Sequence, residues 1–214
     1  MDLSLRRALA GALGEDAVTL DGAVIAPSGA EGVAEVLRLA QEHGIRLRIT
    51  SGQAAGVEVP AGVSVLSLSR LAAITVDPRN GVARAEAGVT LDVLRASLAD
   101  AGVTVAALPA SPSSEHVGSL IARGEVPRRS LTGIEAVLPG GDTIRLGGSV
   151  LKDVVGYDVA SLLLGSWGRL AAIVAVHLRL VPAGIRPPAA EPGGQRAGDG
   201  VSAVFDPQGI LVGA

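Results

Sequence analysis

The sequence predicts an α+β fold of one to two domains. Segments with the 3.6-residue period of helices and segments with the 2-residue period of strands both occur, and the strands pair as hairpins instead of alternating regularly with helices. No G-x-G-x-x-G motif follows a strand and opens a helix, which argues against a doubly wound nucleotide-binding sheet. With 214 residues, 48% of them hydrophobic, the chain is long and apolar enough to bury a sizeable core.

The first helix and strand are predicted from local signals. Ser28 and Glu31 have the spacing of a capping box, and apolar residues recur at helical spacing over 33–40. Gly44 is suited to end this helix, because glycine adopts the left-handed conformation of a C-terminal cap. Alternating apolar and arginine residues then predict a half-buried strand over 45–49, followed by a loop of small residues.

The next elements repeat this order. Strand-like runs at 73–76 and 82–87 flank a Pro-Arg-Asn-Gly turn and predict a hairpin. Thr90 is placed to cap a second helix, which places Leu91, Leu94 and Leu98 on one face. A strand is predicted over 103–107.

The second half of the chain is less regular. Residues 108–129 are rich in Pro, Ser and Gly and predict a long functional or disordered loop. A hairpin is predicted at 134–138 with 143–146. A short helix is predicted at 159–164 and a long strand at 170–180. Residues 183–200 are rich in Pro and Gly and predict a linker.

Composition excludes several classes of function. The formal net charge is −3 and aromatic residues make up 1% of the chain, so there is neither a basic surface nor a set of rings for nucleic-acid binding. The chain has no Cys, which excludes disulfides, thiolate zinc sites and Fe–S clusters within it. Three scattered histidines, His43, His116 and His177, predict no metal site.

Targeting signals are not evident in the sequence. Arg6 and Arg7 precede only a short apolar run that meets Glu15 and Asp16, unlike a signal peptide. Charged residues interrupt the apolar stretch 159–181, whereas a membrane span needs ~20 mostly uncharged residues. We therefore expect a cytoplasmic protein without a transmembrane segment.

Three blocks of sequence carry recognisable motifs. They are residues 24–27 with the helix and loop that follow, residues 77–91 with Glu-Ala-Gly-Val-Thr, and the motif Lys-Asp-Val-Val-Gly-Tyr-Asp at 152–158, followed by Gly-Ser-Trp-Gly at 165–168. Together they resemble the FAD-binding domain of the vanillyl-alcohol oxidase and p-cresol methylhydroxylase (PCMH) flavoproteins. The third block is most similar to the small FAD-binding subunit of bacterial glycolate oxidase. The resemblance covers about residues 17–182 and implies a two-subdomain PCMH-type fold.

The resemblance implies that FAD is held by backbone N–H groups of small-residue loops, where absent side chains allow close approach. Without a Cys in the chain or a His near the first loop, the FAD is expected to be non-covalent. The residues that the resemblance assigns to FAD lie in three loops and the strand after them: Ser51, Gly52, Gln53, Ala54, Ala55, Gly56, Pro109, Ser113, Ser114, Val117, Gly118, Ser119, Gly165, Gly168, Ile173 and Val174. No catalytic residue is identified.

The chain departs from the family pattern at three glycine positions. Its first loop has a single glycine at 51–55, its second reads Val-Gly-Ser at 117–119, and Gly-Arg-Leu-Ala stands at 168–171 where the family has Gly-Thr-Leu-Gly. Each added Cβ alters a place of close backbone approach. These departures leave open an alternative function, a non-catalytic scaffold of the same fold that has lost FAD and substrate binding.

The resemblance also implies a domain organisation and partners. We expect an N-terminal helix at 1–16, the FAD-binding domain at 17–182, the linker 183–200 in place of a substrate domain, and a family-like Phe-Asp-Pro-x-Gly tail at 201–214. The expected function is that of the FAD-binding subunit of a glycolate, or 2-hydroxy acid, oxidase complex. Its expected partners are a larger FAD-linked subunit and an Fe–S subunit.

Some residues keep two interpretations. His116 touches flavin or phosphate, or is a solvated loop residue. His177 faces solvent or makes one structural hydrogen bond. Trp167 covers the flavin or a partner surface, or fills the core, and the arginines at 128–129 pair with FAD phosphates or are solvated. The 152–158 motif fixes a turn or lines the flavin edge.

Overall fold

The computed structural model describes residues 3–19, 23–54, 57–148, 160–184, 201 and 204–213. The helices are α1 (Leu3–Leu13), α2 (Ala30–His43), α3 (Leu91–Asp100), α4 (Val117–Ala122) and α5 (Ala160–Leu163). The strands are β1 (Val24–Ile25), β2 (Arg46–Thr50), β3 (Val63–Ser67), β4 (Ile74–Asp77), β5 (Val82–Glu86), β6 (Val103–Val105), β7 (Leu131–Val137), β8 (Thr143–Gly147), β9 (Ala172–Pro182) and β10 (Leu211–Val212). The predicted α+β class is confirmed.

A four-stranded parallel sheet forms the first half of the fold, in the order β1-β3-β2-β10. Helices α1 and α2 contribute to its apolar core, and the fully buried Val33 and Leu37 show why the periodic face of α2 faces inward. The last strand comes from the predicted tail. The buried Asp206 carboxylate accepts hydrogen bonds from the backbone N–H groups of Ile210 and Leu211 (3.1 and 2.7 Å), which fixes the approach to β10.

An antiparallel sheet forms the second half, in the order β4-β5-β9-β7-β8, with β6 pairing at the far end of β9. The central strand β9 is buried along most of its length, so it carries almost none of the alternation typical of a half-exposed strand. Helices α3, α4 and α5 cover one face of this sheet and share a second apolar core with it. Both predicted hairpins, β4-β5 and β7-β8, are confirmed.

Two predictions about local structure are wrong, one at the start of α2 and one in the region 108–129. The capping box at Ser28 is absent, because Gly29 is the N-cap of α2 in an extended conformation and no side chain bonds to the cap. The region 108–129 is not a continuous loop, since α4 lies within it. The predicted C-terminal glycine is confirmed, because Gly44 has φ 64° and its N–H bonds back to the last turn. The 152–158 motif and most of the predicted linker lie outside the described residues.

Within the described residues, no helix has both the length and the apolarity that crossing a bilayer requires. The same residues contain no group of three or more His, Cys, Asp and Glu side chains that could hold a metal ion.

A buried polar cluster lies in the antiparallel sheet, where β5, β9 and β7 are neighbours. Glu135 accepts two hydrogen bonds from Arg84 (2.7 and 3.0 Å). Nε2 of His177 lies at hydrogen-bond distance, 2.8 Å, from one oxygen of the same carboxylate. The Arg84 guanidinium lowers the pKa of Glu135 to about 2. His177 is 2% exposed, and burial lowers its pKa. Of its two interpretations, the structure therefore supports the single structural hydrogen bond.

The buried histidine should make stability depend on pH. Because the pKa of His177 is lower in the folded protein than its ordinary value of 6.5, the unfolded chain binds this proton more readily. The free energy of unfolding is therefore expected to fall as the pH drops below that value. Thermal melting between about pH 8 and pH 5 measures this, with His177→Gln expected to flatten the slope. An unchanged slope in His177→Gln contradicts the prediction.

Candidate cofactor-binding cleft

A cleft of about 250 Å³ opens where the parallel sheet meets α4 and β9. Strand β2 and the loop after it form one wall, while α4 and the turn before β9 form the other. The lining residues are small or apolar, with two arginines and one tryptophan: Arg48, Ile49, Thr50, Ser51, Val57, Leu68, Gly118, Ser119, Ala122, Arg123, Trp167, Gly168, Ala171 and Ile173. None of the described lining residues is acidic.

Two of the predicted FAD loops touch each other at Gly118. A methyl group at this position would overlap the Oγ atom of Ser51 and lie 2.7 Å from Cβ of Ala87. The Gly118 N–H also donates to the carbonyl oxygen of Ala87 (2.9 Å). Gly118 is therefore required for the close packing of the first loop, the second loop and Ala87, which directly follows β5.

The ring of His116 lies against the first loop. A methyl group at Gly52 would come within 2.8 Å of Cε1 of this ring. Burial lowers the pKa of His116, and the nearby Glu115 and Asp92 oppose that shift. His116 is thus packed between the two loops and is not a fully solvated residue.

The two arginines of the cleft differ in their partners. Arg123 forms ion pairs with Glu115 (2.8 Å) and Glu125, and the hydrogen bond to Glu125 is the main cause of its raised pKa. Arg48 donates to the backbone carbonyl of Glu58 (2.8 Å), and no ion pair among the described residues involves it. Arg48 therefore brings a positive charge to the cleft without a described carboxylate beside it.

Several predicted site residues meet in this cleft. Ser51, Gly118, Ser119, Gly168 and Ile173 line it, and they come from all three predicted loops and from β9.

Other predicted site residues lie elsewhere. Gln53, Ser113 and Ser114 are exposed, and Ala54 is half-buried outside the lining. Val117 and Val174 are buried, one in each apolar core. Gly52 packs on His116, Pro109 accepts a hydrogen bond from Arg95 (2.9 Å), and the Gly165 N–H donates to Ile121 (3.1 Å). Ala55 and Gly56 lie outside the described residues.

The sequence interpretation missed three kinds of lining residue. Arg48 was assigned only to the polar face of a strand, although its position three residues before a predicted phosphate loop is a signal that could have found it. Ala122 and Arg123 were missed together with α4. Leu68 follows β3 and gave no signal, because only the pairing of β3 with β2 brings it to the cleft.

A second depression, of about 410 Å³, adjoins the first at Trp167. Its lining residues are Arg46, Trp167, Arg169, Gly209, Leu211, Val212 and Gly213. We call the two depressions, which share Trp167, the trough.

The cleft fits a dinucleotide. Glycine, serine and alanine side chains leave room for close approach to phosphate, Arg48 supplies positive charge, and Ile49, Val57 and Ile173 provide apolar walls for a flat ring. The fold and the cleft therefore define a class of two-sheet domain whose small-residue cleft is suited to a dinucleotide.

The chain belongs to the FAD-binding domain family, whose sequence model matches residues 22–147, more than half of its length. FAD is accordingly its cofactor, as the sequence predicted. That the FAD is bound without a covalent link remains a prediction.

Relatives by sequence include subunits of glycolate oxidase. The chain is 30% identical to glycolate oxidase subunit GlcD of Bacillus subtilis, over 77% of this chain and 38% of that protein. It is 30% identical to subunit GlcE of Escherichia coli, over 51% of this chain and 34% of that protein. It is 34% identical to D-lactate dehydrogenase of Archaeoglobus fulgidus, over 74% of this chain and 38% of that protein. The predicted resemblance is confirmed. The chain spans well under half the length of the curated relatives it matches.

Solved structures confirm the fold. The structure of 4-ethylphenol oxidase from Gulosibacter chungangensis aligns with a TM-score of 0.69 and 19% identity, over 84% of this chain and 42% of that one. p-Cresol methylhydroxylase aligns with a TM-score of 0.66 and 20% identity, over 84% and 43%. The predicted PCMH-type architecture is therefore present.

Proposed function

We propose that this chain is the FAD-binding subunit of a complex that oxidises glycolate or a related 2-hydroxy acid. The observation that carries the proposal is the cleft in which Arg48, Ser51, Gly118 and Gly168 meet without a described acidic neighbour in its lining. The similarity to glycolate oxidase subunits and to a D-lactate dehydrogenase supports the substrate class.

The residues of the cleft have separable roles. The guanidinium of Arg48, held by the Glu58 carbonyl, offsets the negative charge of the FAD phosphates. The hydroxyl groups of Ser51 and Ser119 provide neutral hydrogen-bond donors beside it. The apolar side chains in the lining exclude water, which strengthens these polar interactions. When bound, FAD supplies the acceptor for the hydride that leaves the α-carbon of the hydroxy acid.

The described part of the cleft does not complete the reaction. Oxidation of a 2-hydroxy acid to a 2-oxo acid also needs a base for the hydroxyl proton and a cation for the carboxylate. No His, Asp or Glu is among the described lining residues. We therefore assign the base to a partner, the larger FAD-linked subunit, and the removal of electrons to an Fe–S subunit.

The proposal is tested on the full chain purified with its partners. Flavin should be visible in the absorption spectrum, and anaerobic addition of glycolate or D-lactate should bleach its visible band. Acetate, which lacks the hydroxyl group, is the matched control and should leave the band unchanged. A flavin-loaded complex that no 2-hydroxy acid bleaches would overturn the substrate assignment.

The full chain purified without its partners tests the scaffold alternative, which the altered glycine positions motivate, because the larger FAD-linked subunit would itself colour the complex. A colourless protein that takes up no added FAD would favour that scaffold and contradict the proposed subunit function. Reversible uptake of FAD, with release on denaturation, would exclude the scaffold and also confirm the predicted non-covalent attachment.

A further inference from the structure

Trp167 has an unusual backbone conformation. Its φ angle is 55°, and it is the one residue other than glycine with a positive φ in the described part of the chain. A bulky side chain is strongly disfavoured in this left-handed region, and such strain persists only where the surrounding structure enforces it. The conformation therefore calls for a physical reason.

Residues on either side of Trp167 and in α4 hold it in this conformation. Gly165 and Gly168 have positive φ angles on either side of it, 80° and 72°. The Trp167 N–H donates to the carbonyl oxygen of Ala122 at the end of α4 (2.9 Å). The turn is thus attached to the same short helix that carries Gly118 and Ser119 into the cleft.

Trp167 lies outside the two apolar cores that the described residues form, and it is half-buried. It lines both the first cleft and the adjoining depression, where it forms their shared wall. The strained turn therefore places Trp167 in the lining of both depressions.

We propose that the indole of Trp167 stacks on a planar ring of bound FAD and positions the cofactor in the trough. This inference rests on FAD binding and is independent of the substrate class proposed above. FAD carries two flat ring systems, the isoalloxazine and the adenine, and aromatic pairs favour offset stacking or edge-to-face contact. Trp167 is a positioning residue, because it contacts the cofactor without taking part in bond breaking.

The scarcity of aromatic residues strengthens the assignment. The chain has one Trp, one Tyr and one Phe. Phe205 packs against the core of the antiparallel sheet, and Tyr157 lies outside the described residues. In the described lining of both depressions, Trp167 therefore provides the one aromatic ring on which FAD can stack.

The first experiment measures FAD affinity in Trp167→Gly and Trp167→Asn, by titrating apoprotein with FAD. Both residues tolerate the left-handed conformation, so the apoprotein should melt no earlier than the parent. Loss of the stacked ring should weaken FAD binding by about tenfold, the factor that corresponds to ~1.4 kcal/mol. Trp167→Phe should restore most of the affinity.

The second experiment identifies the ring and has no activity readout. Trp167 is the sole source of tryptophan emission. Its quenching by acrylamide should decrease when ADP binds if the indole stacks on adenine, or when FMN binds if it stacks on isoalloxazine. Protection by either ligand supports the proposal and selects the ring.

The control is Leu162→Ala, in the adjacent helix α5, because Leu162 is 42% exposed and lies outside both depressions. It should leave FAD affinity unchanged. The proposal would be overturned if Trp167→Gly and Trp167→Asn bound FAD as tightly as the parent, or if neither ADP nor FMN protected the indole. Failure of glycolate to bleach the flavin would not bear on it.

Discussion

Replacing Gly118 with alanine is expected to abolish FAD binding and to lower the free energy of unfolding by about 1–3 kcal/mol. The added methyl group would lie 2.7 Å from Cβ and 3.1 Å from Cα of Ala87 and would overlap Oγ of Ser51. The clash cannot be relieved by a rotamer change alone, because the Ala87 contacts include backbone. The second loop must move away from the first, which opens the cleft that we propose for FAD.

Gly118→Ala is measured by FAD titration and by chemical denaturation, with Gly11→Ala as the matched control. Gly11 lies in α1, is exposed and has no atom near the position of an added methyl group. Alanine there should stabilise the helix by about 0.5–1 kcal/mol and leave FAD affinity unchanged. If Gly118→Ala binds FAD with the parent affinity, the two loops are not packed as described.

Replacing Glu135 with alanine is expected to lower the free energy of unfolding by about 2–3 kcal/mol. The change removes the acceptor for two of the Arg84 hydrogen bonds and the partner of His177, while Arg84 keeps its bond to Glu86 (3.3 Å). Nδ1 of His177 already has no hydrogen-bond partner among the described residues, so both ring nitrogens would then lack one. The cost stays below that of a fully buried pair because the Arg84 side chain is 32% exposed.

The control for Glu135→Ala is Glu35→Ala on α2. Glu35 also pairs with an arginine, Arg38, but at the surface, where such pairs contribute about 0–1 kcal/mol. Denaturation at neutral pH should separate the two variants clearly. The parent should also lose stability as the pH falls from about 4.5 towards 2, because the pKa of Glu135 is lowered in the folded state, and Glu135→Ala should lack that loss. Equal effects of the two substitutions would contradict this account.

The sequence predicted the elements whose signals are local. The apolar period of α2, the glycine at its end and the alternation in β2 all lie within a few residues of each other, and the structure contains each of them. The two hairpins were predictable for the same reason, since a short turn fixes the pairing of its own strands.

The elements that were missed or wrong depend on distant contacts. Helix α4 has only six residues, too few for a visible period, and it is stabilised by burying Leu120 and Ile121 in the second core. The capping-box prediction was wrong because the helix starts one residue later than the motif requires. Gly29, in an extended conformation, is the N-cap of α2, and no side chain bonds to the cap.

The sequence predicted the loops of the candidate site but not the full set of residues that line the cleft. The resemblance pointed to Ser51, Gly118 and Gly168, which lie far apart in sequence, and the structure brings them to one cleft. The sequence signal for Arg48 was only its position shortly before the predicted first loop, and Trp167 kept two interpretations. Their places in the cleft depend on how β2, α4 and the turn before β9 approach one another, and the strain at Trp167 is visible only in its backbone angle.

The parallel sheet also constrains the order of events during synthesis. Strand β10 pairs with β2 only after the whole antiparallel sheet has been made, since Leu211 aligns with Leu47. Until then the outer edge of β2 has unpaired backbone donors and acceptors, a template for strands of other chains. A nascent chain that stalls before Phe205 exposes this edge beside the cofactor loop. Synthesis of β10, and not the folding of β1, β2 and β3, therefore completes the sheet.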